Sequence, residues 1–202
     1  MLGGVEIRPL AELGELMQGL PSRFNTREAL EKADGSRAHL VNIGDLRGLA
    51  IEAPHDGAVN LPADTPHQYF LRDDDVLITT RTRPPRAAVV TTWMNNVPMV
   101  PTQNLALLRP NPSIVYGPYL ATYLNTPDAI AELEQRYSQS STIPLLSKRN
   151  LETVPIPLPP LPVQHQIAGM ALSFEAEERA VLAELEERRL LVRQAIRQAT
   201  QQ

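Results

Sequence analysis

Arg81, Arg83 and Arg86 lie within six residues of one another with no acid among them. A guanidinium presents five donors in a flat fork, which can grip the O6 and N7 of guanine or clamp two phosphate oxygens. Three on one short stretch offer a cationic hold on nucleic acid. The competing reading is a solvated loop whose arginines pair with the nearby Asp73, Asp74 and Asp75. Two further sets have related chemistry. Gln139, Ser140, Ser141 and Thr142 form a polar run suited to phosphate oxygens or base edges, or simply to joining two elements. Lys148 and Arg149 follow Ser147 in what reads as the first turn of a short helix, where they could hold phosphate or merely face water.

Catalytic chemistry finds little to stand on. His39, His55, His67 and His165 are scattered with no pair at ligand spacing. The chain has no cysteine, which excludes disulfides, thiolate catalysis and cysteine zinc sites. Asp73 to Asp75 could suggest metal carboxylates, but three consecutive side chains diverge, and DDDV before a strand reads more simply as a turn. There is no phosphate-binding glycine loop, no G-x-S-x-G and no methyltransferase-like glycine motif beside a strand. Binding without catalysis is the expectation, with neither metal nor cofactor.

Composition bounds the partners. Across 202 residues the net charge is −4, which counts against a protein basic overall, so any nucleic-acid contact must rest on a local positive face. Hydrophobic residues at 43% and charged ones at 21% allow a packed core. No run of 18 apolar residues occurs, and MLGGVEIRPL lacks a basic stretch followed by an apolar one. Neither a membrane span nor a signal peptide is expected, and a cytoplasmic location is the default.

The elements that would position these residues read as an α+β domain of short pieces. Residues 5–10 and 39–46 read as strands, and 104–110 (NLALLRP) as another. VLITT and AAVVTT are rich in β-branched residues and read as a hairpin whose connecting loop carries the three arginines with Pro84 and Pro85. Leu13, Leu16, Met17 and Leu20 are at helical spacing, which predicts a helix over 11–20. Helices are also predicted from Gly117-Pro118, from Thr126-Pro127-Asp128 and after Ser147, by their prolines and capping residues. Trp93, Tyr116, Tyr119 and Tyr123 read as core rather than as platforms for bases.

The carboxyl-terminal third changes character. Pro155, Pro157, Pro159, Pro160 and Pro162 make a stiff join, whose composition favours polyproline II. Beyond it Ile167, Met170, Phe174, Val181, Leu185, Val192, Ile196 and Ala199 are separated by 3, 4, 7, 4, 7, 4 and 3 residues. That spacing predicts one helix over 163–202, about 60 Å long at 1.5 Å per residue. A single narrow apolar stripe on a long charged helix needs another helix against it, though Glu178 and Arg188 interrupt the seam. The expected organisation is a domain over 1–155, a join over 156–162 and a spacer or dimerisation helix over 163–202.

The order DVLITTR, AAVV, LALLRP, the paired YL and QSSTIPLLSKRNLETVPIPLPPLPVQHQIA resembles the target-recognition domain and following helix of the specificity subunit of type I restriction-modification systems. The most specific portion is IPLPPLPVQHQIA. In that family a PLPPL run, two residues, a glutamine and then an isoleucine introduce the spacer helix, and Leu158 to Leu161, Gln164 and Ile167 stand in those places. Val163 departs from the usual glutamate, and Arg83-Pro84-Pro85 fill a loop where a glycine turn is common. Those subunits usually carry two domains and two helices; this chain has one of each, as a half-size subunit or a fragment of a full one would.

The resemblance implies a non-catalytic reader of double-stranded DNA. Each domain would read one half of a bipartite site, and antiparallel helices would hold two domains at a fixed separation. Partner methyltransferase (modification) subunits and a restriction subunit would supply the chemistry. A homodimer through the carboxyl-terminal helix would then read a palindromic site. In this reading Arg81, Arg83, Arg86, Gln139 to Thr142, Lys148 and Arg149 contact DNA, while Ile167, Met170, Phe174, Val181, Leu185, Val192 and Ile196 meet the partner. The rival readings are an assembly adaptor that reads no sequence, and a metal-dependent nuclease.

Overall fold

Residues 5–51, 57–91, 97–138 and 144–200 are described by the computed structural model. Its chain divides into two units, Met1–Ala168 and Gly169–Gln202. The strands are β1 (Glu6–Pro9), β2 (Gly14–Gln18), β3 (Arg37–Val41), β4 (Val59–Asn60), β5 (Val76–Thr79), β6 (Ala87–Val89), β7 (Met99–Pro101), β8 (Leu105–Pro110) and β9 (Pro155–Leu158). The α-helices are α1 (Arg27–Glu31), α2 (Gly117–Leu124), α3 (Pro127–Glu134), α4 (Lys148–Glu152) and α5 (Leu161–Thr200). The arrangement is the mixed α+β one, with small sheets and a long final helix.

An antiparallel sheet ordered β2-β8-β5-β6 forms the centre of the first unit. Its two middle strands pair Leu77 with Leu107 and Thr79 with Leu105, and every residue of β5 is buried. Burial on both faces explains why VLIT and LALL are continuous apolar runs without alternation. One face packs with Val41, Leu46, Ile51, Val90 and Met99. Helix α2 lies against β5 and β6 and buries Leu120, Ala121 and Leu124. A second sheet, β4-β3-β7, has β3 and β7 parallel and closes a smaller core of Leu20, Phe24, Ala38, Leu61 and Val100.

The predicted helix over 11–20 does not form. A short 3-10 turn at Leu10–Glu12 leads into β2, which pairs with β8 from Gly14↔Pro110 to Gln18↔Ala106. Tertiary pairing overrides the 3-and-4 spacing because β8 offers β2 a complete ladder, while glycines at 14 and 19 weaken a helix. At Gly14 the approach is so close that a β-carbon would lie 2.1 Å from the Arg109 carbonyl oxygen.

The proline-dense stretch is extended, yet it is not a free polyproline spacer. Residues 155–158 form β9, which pairs antiparallel with β1, setting Ile7 opposite Pro157 and Pro9 opposite Pro155. A proline has no N–H to donate, so the ladder bonds must fall at the alternate pairs, Arg8–Ile156 and Glu6–Leu158. Tyr119 Oη donates to the Pro157 carbonyl at 2.6 Å from the α2 side. Burial pushes that phenol up to about 12. Ile156 is fully buried, so the strand belongs to the core.

Helix α5 begins two residues earlier than the stripe suggests. Its base is fixed by Gln164, a polar side chain only 1% exposed. Gln164 Nε2 donates to the carbonyls of Ile114 (3.2 Å) and Pro159 (2.9 Å), and Oε1 accepts from the Tyr116 N–H at 2.9 Å. His165 stacks on the Tyr116 ring at 3.9 Å between centroids, and Ala168, one turn on from Gln164, is fully buried.

Replacing Gln164 with leucine keeps the volume but strands one buried donor and two acceptors. The expected cost is at least about 3 kcal/mol, since each of the three unsatisfied buried groups costs about 1–3. Urea unfolding of the variant beside the parent chain measures it, and equal midpoints would contradict this role.

Candidate nucleic-acid interface

The three arginines share one short loop between β5 and β6, and all are exposed. The hairpin predicted from VLITT and AAVV forms, with Val76 opposite Val89 and Ile78 opposite Ala87. Its neck is closed by Thr79, whose N–H donates to the Arg86 carbonyl at 2.9 Å while its hydroxyl accepts from the Arg86 N–H at 2.9 Å. Thr80 donates its hydroxyl to the Asn104 carbonyl at 2.8 Å, and its own carbonyl accepts from Leu146 N–H at 2.9 Å. The peptide between Arg83 and Pro84 is cis, and Pro85 is buried.

Tyr137, just past α3, supports the loop from beneath. Its hydroxyl donates to the Thr82 carbonyl, and the Arg83 guanidinium lies 4.5 Å above its ring centroid. Burial pushes the Tyr137 phenol up to about 12, so it remains a donor at physiological pH. The loop backbone is therefore held by β8's leading turn, by the segment before α4 and by Tyr137. Sequence reasoning picked out the arginines but missed this tyrosine, whose pairing spans 55 residues. The local signal it carries is spacing alone, since Ile130, Leu133 and Tyr137 are separated by 3 and 4 residues.

Of the acids expected to compete for these arginines, Asp75 is engaged elsewhere. Asp75 is 1% exposed and meets Arg109 twice, Nε to Oδ1 at 3.0 Å and a terminal nitrogen to Oδ2 at 2.9 Å. Its Oδ2 also accepts from the Arg72 N–H at 2.9 Å. Burial pushes its carboxyl up, opposed by the Arg109 guanidinium and the Arg72 amide. Asp74 has a φ of 67°, the left-handed turn conformation that aspartate tolerates, and burial raises its carboxyl too. Among the described residues, no ion pair engages Arg81, Arg83 or Arg86.

The other two sets fare differently. Gln139, Ser140, Ser141 and Thr142 lie outside the described residues, as do Trp93 and His55. Lys148 and Arg149 are exposed in the first turn of α4, capped by Ser147 accepting from Asn150 N–H at 3.2 Å. Lys148 reaches Glu152 at 3.6 Å, and α4 has only five residues, so its dipole adds little to phosphate attraction. Tyr119 is buried and Tyr116 and Tyr123 are half-buried against neighbouring elements, so these rings offer no open stacking platform.

In the second unit the residues of the stripe are side by side and open. Met170 is 73% exposed, Phe174 68%, Val181 56%, Leu185 44%, Val192 60% and Ile196 58%. Ile167, at the base, is 38% exposed. These residues form a continuous exposed apolar stripe along one helix face. No helix among the described residues is long and apolar enough to cross a membrane.

Among known proteins, the family model of the type I restriction modification DNA specificity domain matches residues 3–187. A chain in a structure concerned with the complex assembly and conformational transition of the type I R-M system is 22% identical, with a TM-score of 0.61 over 90% of this chain. The HsdS subunit from Thermoanaerobacter tengcongensis is 20% identical, with a TM-score of 0.60 over 91% of this chain. This chain spans 40% of the length of each. No curated protein matches.

Substituting Arg109 by methionine leaves the Asp75 carboxyl buried with one amide partner, and about 3–5 kcal/mol of stability should be lost near neutral pH. Without the guanidinium, burial alone raises the folded carboxyl's pKa above its unfolded value. Stability then falls as pH rises through that raised pKa, so the deficit against the parent chain narrows on acidification. Urea titrations at about pH 7 and about pH 5 check this; a deficit equal at both would contradict it.

Proposed function

We propose a function from one premise: the chain belongs to the family of type I restriction modification DNA specificity domains. Its first unit is a non-catalytic reader of one half-site in double-stranded DNA, and the β5–β6 loop is its grip. The observation that carries this reading is the set of three exposed guanidiniums, free of acidic partners among the described residues, on a backbone fixed by Thr79, Thr80 and Tyr137. A fixed loop presents its forks without first having to order itself, so less of the binding energy goes into ordering. Arg83 stacked on Tyr137 is aimed before DNA arrives, whereas Arg81 and Arg86 are free to find phosphates or base edges. Lys148 and Arg149 add positive charge, and the polar run 139–142 is a further candidate contact.

Methylation and cleavage are left to partner modification and restriction subunits, and the complex acts in the cytoplasm. The exposed stripe of α5 is covered by a second copy of the chain. Two readers related by two-fold symmetry would read a palindromic, bipartite site.

Changing Arg81, Arg83 and Arg86 together to alanine should weaken DNA binding by the complex with its methyltransferase by one to two orders of magnitude. It should also flatten the dependence of log K on log salt by about 1 for each phosphate the loop no longer neutralises. Fluorescence anisotropy across a salt series reads both; unchanged affinity and slope would remove the loop from the interface. Separately, Leu185→Glu with Val192→Glu should abolish self-association of the chain in light scattering without changing the far-ultraviolet circular dichroism of the domain. The same assembly in both proteins would count against the stripe as the interface.

A further inference from the structure

The gaps in the α5 stripe read the same from either end, 3, 4, 7, 4, 7, 4 and 3. Met170 and Ile196, Phe174 and Val192, and Val181 and Leu185 lie 13, 9 and 2 residues either side of Ala183. The two charges that interrupt the stripe obey the same symmetry, since Glu178 and Arg188 are each 5 residues from Ala183. An interruption at random positions would not do so.

Resting on the pairing through α5 proposed above, we propose that a second copy docks antiparallel in one register, with the two-fold axis crossing at the height of Ala183. In that register Phe174 lies level with Val192 of the partner subunit, and Val181 with Leu185 of the partner subunit. Glu178 lies level with Arg188 of the partner subunit, and the symmetry makes this pair twice. The interruptions thus become the feature that sets register and orientation, because a polar layer in an apolar seam rejects arrangements that leave it unmatched.

Three observations support this occupant over others. Parallel copies in register would set Glu178 against Glu178 and Arg188 against Arg188, two repulsive layers in place of two attractive ones. Shifting an antiparallel pair by one heptad would put each charge against an apolar side chain. Finally, Leu185, Arg188, Arg189, Val192 and Arg193 line a shallow hollow on the helix surface, centred where Glu178 of the partner subunit would enter. Its lining is mainly apolar; of its three arginines, Arg188 and Arg189 also meet Glu184 and Glu186 of the same helix, and Arg193 is in no ion pair among the described residues. Among the described residues Glu178 is exposed and in no ion pair, whereas Glu175, Glu184 and Glu186 each meet an arginine of the same helix.

The test is a charge exchange in the full chain. Glu178→Arg alone and Arg188→Glu alone each set like charges together twice, and each should raise the dimer dissociation constant at least about tenfold in sedimentation equilibrium. Mixing the two single variants should restore parent-like affinity as a heterodimer, since both of its layers are then opposite in sign. The doubly exchanged chain should self-associate like the parent. In a protein without native cysteine, Val181→Cys and Leu185→Cys chains should form a disulfide with each other and neither with itself. Singles that dimerise like the parent, or a mixture that fails to recover, would overturn the register. If Leu185→Glu with Val192→Glu still breaks the dimer in that case, the pairing itself survives. A parent chain that remains monomeric would overturn both.

Discussion

One amide side chain holds the first turn of the long helix to the domain. Gln164 has two donors and an acceptor on the same buried group, and all three are used, on Ile114, Pro159 and Tyr116. Two of those partners lie in the segment that enters α2, and the third in the turn that enters α5. No other side chain of that length does the same. A glutamate could accept from Tyr116 but could not donate to either carbonyl, and leucine could do neither. The family motif places a glutamine just after its prolines, and the geometry supplies the physical reason. The prolines also act earlier, by leaving β9 to pair with β1 only through alternate residues.

The β5–β6 loop depends on the same kind of constraint. Its arginines are exposed, but the backbone beneath them is tied at Thr79, Thr80 and Tyr137 by bonds that cross from 7 to 66 residues of sequence. The acid nearest the hairpin, Asp75, is withdrawn from the surface by Arg109. A chain with a net charge of −4 can still present a local positive face, because Asp75 is engaged with Arg109 and, among the described residues, the loop's arginines meet no acid in an ion pair.

Much of the fold was legible where local chemistry decides it. β5 and β6 declared themselves as β-branched runs, β8 as an apolar run ended by proline, and α3 and α4 by the caps Thr126 and Ser147, which both accept as expected. The length of α5 followed from one persistent stripe. β2 was not legible, because its partner β8 lies about 90 residues away and only that ladder outweighs a helical pattern. For the same reason the arginines could be found and their supports could not. Tyr137 and Arg109 act across folds of the chain that no local spacing records. Gln164 was visible as part of a motif, while its three bonds appear only once α2 and α5 are brought together.

On the proposed function, the stripe on α5 and the loop on the domain would work together, with two copies of the domain reading two half-sites. The most direct test is the recognition sequence itself. Methylated positions in DNA treated with the complex of this chain and a methyltransferase can be mapped base by base. The account requires a bipartite motif whose two halves are inverted copies separated by a fixed number of unread base pairs. A motif that is continuous, or whose halves are unrelated when this chain is the sole specificity component, would contradict it.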